Sequence, residues 1–259
     1  MTKNHGLAVV GYLDLLGFSS AMMSMWPSAN RLIGEHGNFG SMKKASQKAI
    51  QEYGITFEPK WLSDSCAVYS FLDDWVEDDK EKQIDTIARA LDGISAALGI
   101  IQSIFGSSRY FSRGGIALGP ILEDESGEPF GPGLVQAVKI EGVLSEYPKV
   151  ALSGGIAAAG MKLKVKQNGR NMFLHDLPLP TLDYLSFAEA AAGKESPEYV
   201  LAYHAEQVHE FVEVSYKVPA LREKATWLLK YHNWHVKSRE GLNRLIIPLD
   251  PPDILENGA

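Results

Sequence analysis

The run from Leu7 to Leu16 carries one charge, Asp14, and ends on the step Gly17-Phe18. Short, apolar and bounded by Gly6 and Gly17, it reads as a buried strand. Such a strand must be covered by other elements, so the chain has to build layers around it. A carboxylate left alone in that setting costs several kcal/mol, on the order of the penalty for any unpaired buried polar group or more. Something must compensate Asp14, and a divalent cation held by carboxylate oxygens is a good candidate. A second isolated carboxylate, Asp64, lies in Lys60-Trp-Leu-Ser-Asp64-Ser-Cys-Ala-Val-Tyr69. Here two apolar runs, Ile55–Leu62 and Ser65–Leu72, join tightly at Ser63-Asp64, the pattern of a β-hairpin.

The remaining chain supplies the layers. Ser19–Trp26 has room for one or two helical turns before Pro27. The Gly- and Asn-rich stretch 29–39 reads as a loop, and Ser41–Tyr53 as a short basic amphipathic helix stopped by Gly54. The acidic stretch from Asp73 to Glu81 reads as a solvated loop running into a helix start, where carboxylates suit the helix dipole. Gln83–Phe105 gives the clearest helix: Ile84, Ile87, Ala88, Leu91, Ile94, Leu98, Ile101 and Phe105 share one face and should lie across a sheet. Tyr110–Leu118 reads as a strand, and 120–130 as a turn-rich hairpin or loop. A helix opens at Gly131-Pro132-Gly133 and runs to about Tyr147, with Pro132 suited to its first position. Lys149–Ser153 reads as a strand, Gly154–Lys164 as a small-residue helix, and Asn171–His175 and Leu182–Phe187 as strand-like. From Ser196-Pro197-Glu198 onward the chain reads as helical, broken at Pro219, with an extended Pro-rich tail from Pro248. Hairpins and crossover helices on one sheet point to an α+β sandwich of the ferredoxin-like type. The expected division is 1–190, with a helical C-terminal extension, 191–259, packed on it.

Composition narrows the function classes. At 259 residues and 45% apolar, the chain is long enough for one large domain with an extension and an ample core. A net charge of −7 argues against a broadly basic nucleic-acid surface and leaves room for a local basic pocket. The single cysteine, Cys66, allows no intramolecular disulfide and no Cys-based zinc site, and its apolar surroundings suggest an inert buried thiol. No signal-peptide pattern opens the sequence, and no apolar run reaches the roughly 20 residues that span a bilayer. The expectation is a cytoplasmic protein with no direct membrane insertion and no nucleic-acid partner.

Four pieces, in order and spacing, resemble the class III nucleotidyl cyclases over residues 7–153. They are Asp14-Leu-Leu-Gly-Phe, Asp64 at the hairpin turn, Arg113-Gly-Gly-Ile-Ala-Leu-Gly, and Phe130-Gly-Pro-Gly-Leu-Val-Gln-Ala137-Val-Lys139-Ile-Glu141. The resemblance implies a ferredoxin-like catalytic core that gathers the two aspartates around metal and a nucleoside triphosphate. In that reading Asp14 and Asp64, with the main chain of Leu15, hold two divalent cations, Mn2+ or Mg2+. Attack by a ribose 3′-oxygen on the α-phosphate is phosphoryl transfer, where positioning and charge neutralisation supply most of the catalysis. Backbone N–H groups over Leu15, Leu16, Gly17 and Phe18 would cradle the phosphates where strand turns into helix. Arg113 would neutralise phosphate charge.

The resemblance also implies two base-recognition positions, Lys60, four residues before Asp64, and Glu128, two before Phe130-Gly131. A lysine donor with a carboxylate acceptor suits adenine, the N3–H and O4 edge of uracil, or the N3 and amine of cytosine. Two departures stand out. Val135 occupies the place of the ribose-orienting Asn of purine cyclases, and reads as helix core. Lys139 occupies that of their transition-state Arg, and supplies a point charge in place of a bidentate fork. The whole chain is similar to the compact pyrimidine cyclases of bacterial Pycsar antiphage systems, including the segment Lys224-Ala-Thr-Trp227-Leu-Leu-Lys-Tyr231-His-Asn233, whose own chemistry is that of an amphipathic helix with aromatic anchors. That resemblance implies UTP or CTP as substrate, with UTP favoured, and a cyclic nucleotide that activates a separate effector. It further implies a head-to-tail homodimer in which Asp14, Asp64 and Arg113 come from one chain and Lys60, Glu128 and Lys139 from its partner. The histidines His175, His204, His209, His232 and His235 show no convincing metal spacing and are expected at the surface or partly buried on helices.

Overall fold

The structure is a computed structural model and describes residues 5–16, 29–125, 127–144, 146–164, 169–174, 180–192, 197–215 and 218–248. It divides into two compact units, Met1–Gly193 and Lys194–Ala259. In the first, β1 (His5–Leu15) is followed by α1 (Ala29–Glu52), the hairpin strands β2 (Lys60–Leu62) and β3 (Ser65–Phe71), α2 (Lys80–Gly106) and the long β4 (Ser112–Glu123). Then come β5 (Pro129–Phe130), α3 (Pro132–Leu144), β6 (Val150–Leu152), α4 (Gly154–Gly160), β7 (Phe173–Leu174), β8 (Thr181–Leu182) and α5 (Tyr184–Ala191). The strands form one sheet in the order β2-β3-β1-β4-β6-β8-β7, with β5 folded back on β4. The first four pair antiparallel, which is the split βαβ arrangement of ferredoxin-like folds. A crossover through α3 then lays β6 parallel to β4.

β1 is covered on both faces, as a nearly uncharged strand requires. Val9, Leu13 and Leu15 enter the larger core with Leu91, Ile94, Leu98, Ile101 and Phe105 of α2. Ala8 and Val10 enter a second core on the opposite face with Ala117, Ile121, Ala137 and Ile140. α3 lies close against that face, and Gly115 is the reason it can: a Cβ there would stand 2.3 Å from the Ala137 carbonyl oxygen and 2.7 Å from Ile140 Cβ. α2 starts as its acidic lead-in suggests, with the Lys82 N–H donating to Asp79 Oδ1 at 3.0 Å.

Several expectations are corrected. The stretch 29–39 is helix, the first half of α1. Gly34, Gly37 and Gly40 each cost about 1 kcal/mol of helix propensity, but the helix buries Phe39 and Met42, and the Phe39 ring packs edge-on against Phe105 and Trp61 at centroid distances of 5.5 and 6.3 Å. Packing outweighs local preference. The stretch Leu182–Phe187 is a strand only to Leu182; α5 then turns Leu185 and Phe187 into the core, with Phe187 seated where Gly99 of α2 has no side chain. The first hairpin strand is confined to Lys60–Leu62, whereas β4 outruns its expected end and forms a true hairpin with β5. The helix after Ser153 ends at Gly160. The expectations for Ser19–Trp26, Ser196, His175 and the tail from 249 lie outside the described residues.

The second unit contains α6 (Pro197–Ser215), α7 (Pro219–Lys237) and a 3-10 turn, Asn243–Leu245. Its interior is partly polar. His204, His232 and His235 are buried, against the expectation of surface or partly buried histidines, while His209 is exposed and faces Glu213. His232 Nε2 lies 3.0 Å from the Leu245 carbonyl, which can only accept, so Nε2 donates and His232 Nδ1 is left as an acceptor. His204 Nδ1 therefore donates to it across 2.9 Å. Asn233 grips the chain beyond, its Nδ2 donating to the Ile247 carbonyl and its Oδ1 accepting from the Ile247 N–H. No helix among the described residues is long and apolar enough to cross a membrane.

Two outcomes follow from this packing. Gly115→Val should cost about 1–3 kcal/mol by overpacking, read from the midpoint of urea unfolding. Burial, with the neighbouring histidines His232 and His235, holds His204 well below the ordinary histidine range, and burial also lowers His232. A histidine whose folded pKa lies below its unfolded value of about 6.5 takes up protons on unfolding in acid. The helical unit should therefore have its full stability above about pH 6.5 and lose it progressively below. Amide exchange of α6 and α7, corrected for intrinsic rates, should report this loss; equal protection at pH 7.5 and 5 would contradict it.

Candidate functional site

Strand register determines which side chains can meet. Asp14 pairs with Ser65 of β3 on one side and Arg113 of β4 on the other. On the same face, two residues back, Tyr12 pairs with Ala67 and Gly115, and Ala67 pairs with Lys60. This is the face covered by α3, whose Glu141 reaches down to the strand end. Arg113 sits between two carboxylates: its Nη2 lies 3.5 Å from Asp14 Oδ2, and its Nε forms a close ion pair with Glu141 Oε1. Glu141 is almost wholly buried, while Asp14 and Arg113 are about a quarter exposed.

Asp64 follows Ser63 in the β2–β3 turn, as the sequence suggests. Ser63 is left-handed at φ 61°, and Ser65 Oγ donates to the Leu62 carbonyl at 2.8 Å, closing the turn. Burial pushes the Asp14 carboxyl above the usual range; Arg113 pulls it back, and the charge of Asp64 pushes it up again. The Leu15 N–H lies against the Asp14 carboxylate and favours its charged form. The phenol of Tyr12 is raised by burial, lowered by a hydrogen bond with Ser65, and raised by the charges of Asp14, Glu141 and Asp64. So Asp14, Asp64, Arg113, Glu141 and Tyr12 form one electrostatic cluster at the end of β1.

Two carboxylates that repel one another in a partly desolvated setting suit a hard cation. Among the described residues no group of three or more His, Cys, Asp and Glu side chains is arranged to hold a metal ion. A cation here would draw on Asp14, Asp64, the Leu15 main chain and oxygens of its ligand, the way Mg2+ is held at nucleotide phosphates.

The other expected residues divide into three groups. The Leu16 N–H already donates to the Phe111 carbonyl at 2.9 Å, so it has no proton free for a phosphate, and Gly17 and Phe18 lie outside the described residues. Lys60 approaches the segment that carries Glu128. The Lys60 ammonium stands 3.4 Å from where a Cβ on Gly127 would lie, against the tight 124–128 loop in which the Glu128 N–H donates to Asp124 Oδ1 at 2.8 Å. That loop is tied to the sheet because the Tyr69 hydroxyl donates to Glu123. Lys139 is exposed on the outer side of α3, away from Glu141, and Val135, expected in the core, is 52% exposed.

Glu141 and Tyr12 are the residues that sequence reasoning missed. Strand alternation alone puts Tyr12 on the face of Asp14. Glu141 was visible as the one carboxylate of its helix, but only the approach of α3 to β4 shows that it meets Arg113. Cys66 is buried and its thiol is pushed up to about 12 by burial, as an inert thiol should be.

No protein-family model matches the chain, and no curated protein sequence matches it. Among solved structures it is similar to the adenylyl cyclase CyaB from P. aeruginosa, at 15% identity and a TM-score of 0.42 over 69% of this chain and 92% of that one. It is similar to the guanylyl cyclase Cya2 at 17% identity and a TM-score of 0.41, over 70% and 92%. The guanylyl cyclase domain of the RhoGC fusion protein from the aquatic fungus Blastocladiella emersonii gives 15% and 0.41 over 69% and 94%. Likeness at this level does not bear on activity, which has to be argued from the side chains.

Glu141→Ala would leave the Arg113 guanidinium without its buried partner and should cost about 1–3 kcal/mol. Urea unfolding of E141A against the unaltered chain measures it, with E141Q, which retains an acceptor, falling between.

Proposed function

We propose that this chain is a nucleotidyl cyclase that converts a pyrimidine nucleoside triphosphate, UTP before CTP, to its 3′,5′-cyclic monophosphate and pyrophosphate. The observation that carries the reading is the pair of mutually repelling aspartates, Asp14 and Asp64, beside Arg113 at one end of an antiparallel split βαβ sheet. Two divalent cations, Mn2+ or Mg2+, would be held by Asp14, Asp64 and the Leu15 main chain, and would supply charge neutralisation at the phosphates and a more acidic 3′-hydroxyl. The 3′-oxygen forms a bond to the α-phosphorus while the bond to the β-phosphate bridge oxygen breaks, and the 3′-proton leaves to solvent. Arg113, held between Asp14 and Glu141, would offset charge on the phosphates; Lys139, from a second copy, would add a further positive charge.

The base is read by Lys60 as donor and Glu128 as acceptor, which fits O4 and N3–H of uracil. The approach of the Lys60 ammonium to Gly127, the neighbour of Glu128, is consistent with their acting together, on the partner's side of a homodimer with two equivalent sites. Exposed apolar side chains on α3 and the β4–β5 hairpin, Val135, Val138, Leu122 and Phe130, are suited to such an interface. The preference for UTP, and a role in antiphage defence through a separate effector, rest on the resemblance to the Pycsar pyrimidine cyclases.

Incubation with ATP, GTP, CTP or UTP and Mn2+, with products identified by mass spectrometry, tests the proposal. Cyclic UMP is expected, with the rate falling at least about a hundredfold in Asp14→Ala or Asp64→Ala, as for loss of a principal charge-stabilising group. Cyclic purine as the only product would replace the reading with a purine cyclase. Binding of nucleotide without conversion would make the chain a non-catalytic cyclase-like domain.

A further inference from the structure

We propose that Lys43 of α1 is a positioning residue for Asp64, holding the β2–β3 turn so that its carboxylate shares a cation with Asp14; this rests on the reading of both aspartates as metal ligands. Lys43 is far from Asp64 in sequence and on a helix with no other part in the site. Its ammonium nevertheless donates to the Ser63 carbonyl at 3.1 Å. It also stands 4.3 Å from the centre of the Phe39 ring and 5.0 Å from that of Trp61. Phe39 lies one turn back on α1, and Trp61 lies two residues before Ser63, so helix and hairpin each contribute one wall of the cage. Burial disfavours the charged ammonium here, and the charge of nearby Asp64 offsets part of that cost.

The geometry explains what such a contact achieves. The Ser63 carbonyl belongs to the same planar peptide unit as the Asp64 N–H. Fixing that oxygen fixes the plane, and with it the direction in which the Asp64 side chain leaves the backbone. The turn needs fixing, because Ser63 is left-handed without being glycine, a conformation that costs about 1 kcal/mol or more unless its surroundings enforce it. A lysine serving only solubility would extend into water. This one is held between two aromatic faces with its donor directed at the turn, an arrangement that also adds cation–π attraction.

The proposal has a sign that a mere neighbouring charge would not give. By Coulomb repulsion alone, a cation beside Asp64 weakens metal binding, and removing it should tighten binding. If Lys43 instead positions Asp64, removing it should weaken binding. The full-length chain is titrated with Mn2+ alone, with free Mn2+ followed by its electron paramagnetic resonance signal, for the unaltered protein and for K43M, K43Q, K43R and D64N. K43M should bind Mn2+ about tenfold more weakly, the equivalent of one charge-assisted hydrogen bond. K43R, which keeps cation and donor, should recover most of it. Amide exchange over residues 63–66 should accelerate in K43M while the Leu98–Ile101 core of α2 stays protected, a readout independent of metal; K43Q, which keeps a neutral donor, is the second variant should K43M fail to fold. If D64N loses Mn2+ while K43M binds it as tightly as the unaltered chain or more tightly, the role of Lys43 is overturned and the site stands. If D64N binds Mn2+ like the unaltered chain, Asp64 is no ligand, and the site and the proposal fall together.

Discussion

The close seating of α3 on the sheet is the constraint on which the site depends. Along β4 the side chains facing α3 are Gly115, Ala117 and Gly119 between Arg113 and Ile121, and this row of small residues lets the helix backbone come within contact of the strand. Close approach brings Glu141 down to Arg113, and Arg113, already opposite Asp14 by register, becomes a bridge between two carboxylates. With a larger residue at 115, α3 would ride higher, and Arg113 would lose Glu141 and keep Asp14 alone. Apolar packing thereby sets the electrostatics of a charged cluster several residues away.

The two faces of the sheet serve different ends. The face toward α2 is largely apolar, with Leu91, Ile94, Leu98 and Phe105 against Val9, Leu13 and Leu15. The face toward α3 is thinner and becomes polar toward the end of β1. Tyr12, Asp14, Lys60 and Arg113 all lie on it, and the β4–β5 hairpin, tied down by Tyr69 and Glu123, brings Glu128 to its far edge.

Much of this was legible in the sequence because it rests on local rules. The amphipathic period of α2, the apolar run of β1, the tight turn at Ser63-Asp64 and the proline-led start of α3 each follow from residues near in sequence, and each is found where expected. Misreadings fall where distant contacts outvote local preference. Residues 29–39, with their glycines, read as a loop, yet Phe39 finds Phe105 and Trp61 and the helix forms. Phe187 sits in a β-like run, yet the gap at Gly99 draws it into a helix on α2. The histidines of α6 and α7 read as surface or partly buried residues because their spacing on one helix means little; it is the partner helix that turns His204 onto His232.

The sequence by itself determined most of the elements, the faces of the strands and the isolation of Asp14 in an apolar strand, since period, turn chemistry and a lone charge in an apolar run are properties of short segments. Only the tertiary structure decided which charges meet. Glu141 joins Arg113, Lys60 meets the loop of Glu128, and Lys43 reaches the turn of Asp64 through a cage built from two elements. The physical reason is the steepness of these interactions with distance: an ion pair or hydrogen bond exists within about 3–4 Å or hardly at all, and separations that small between segments remote in sequence are fixed by how helices seat on the sheet.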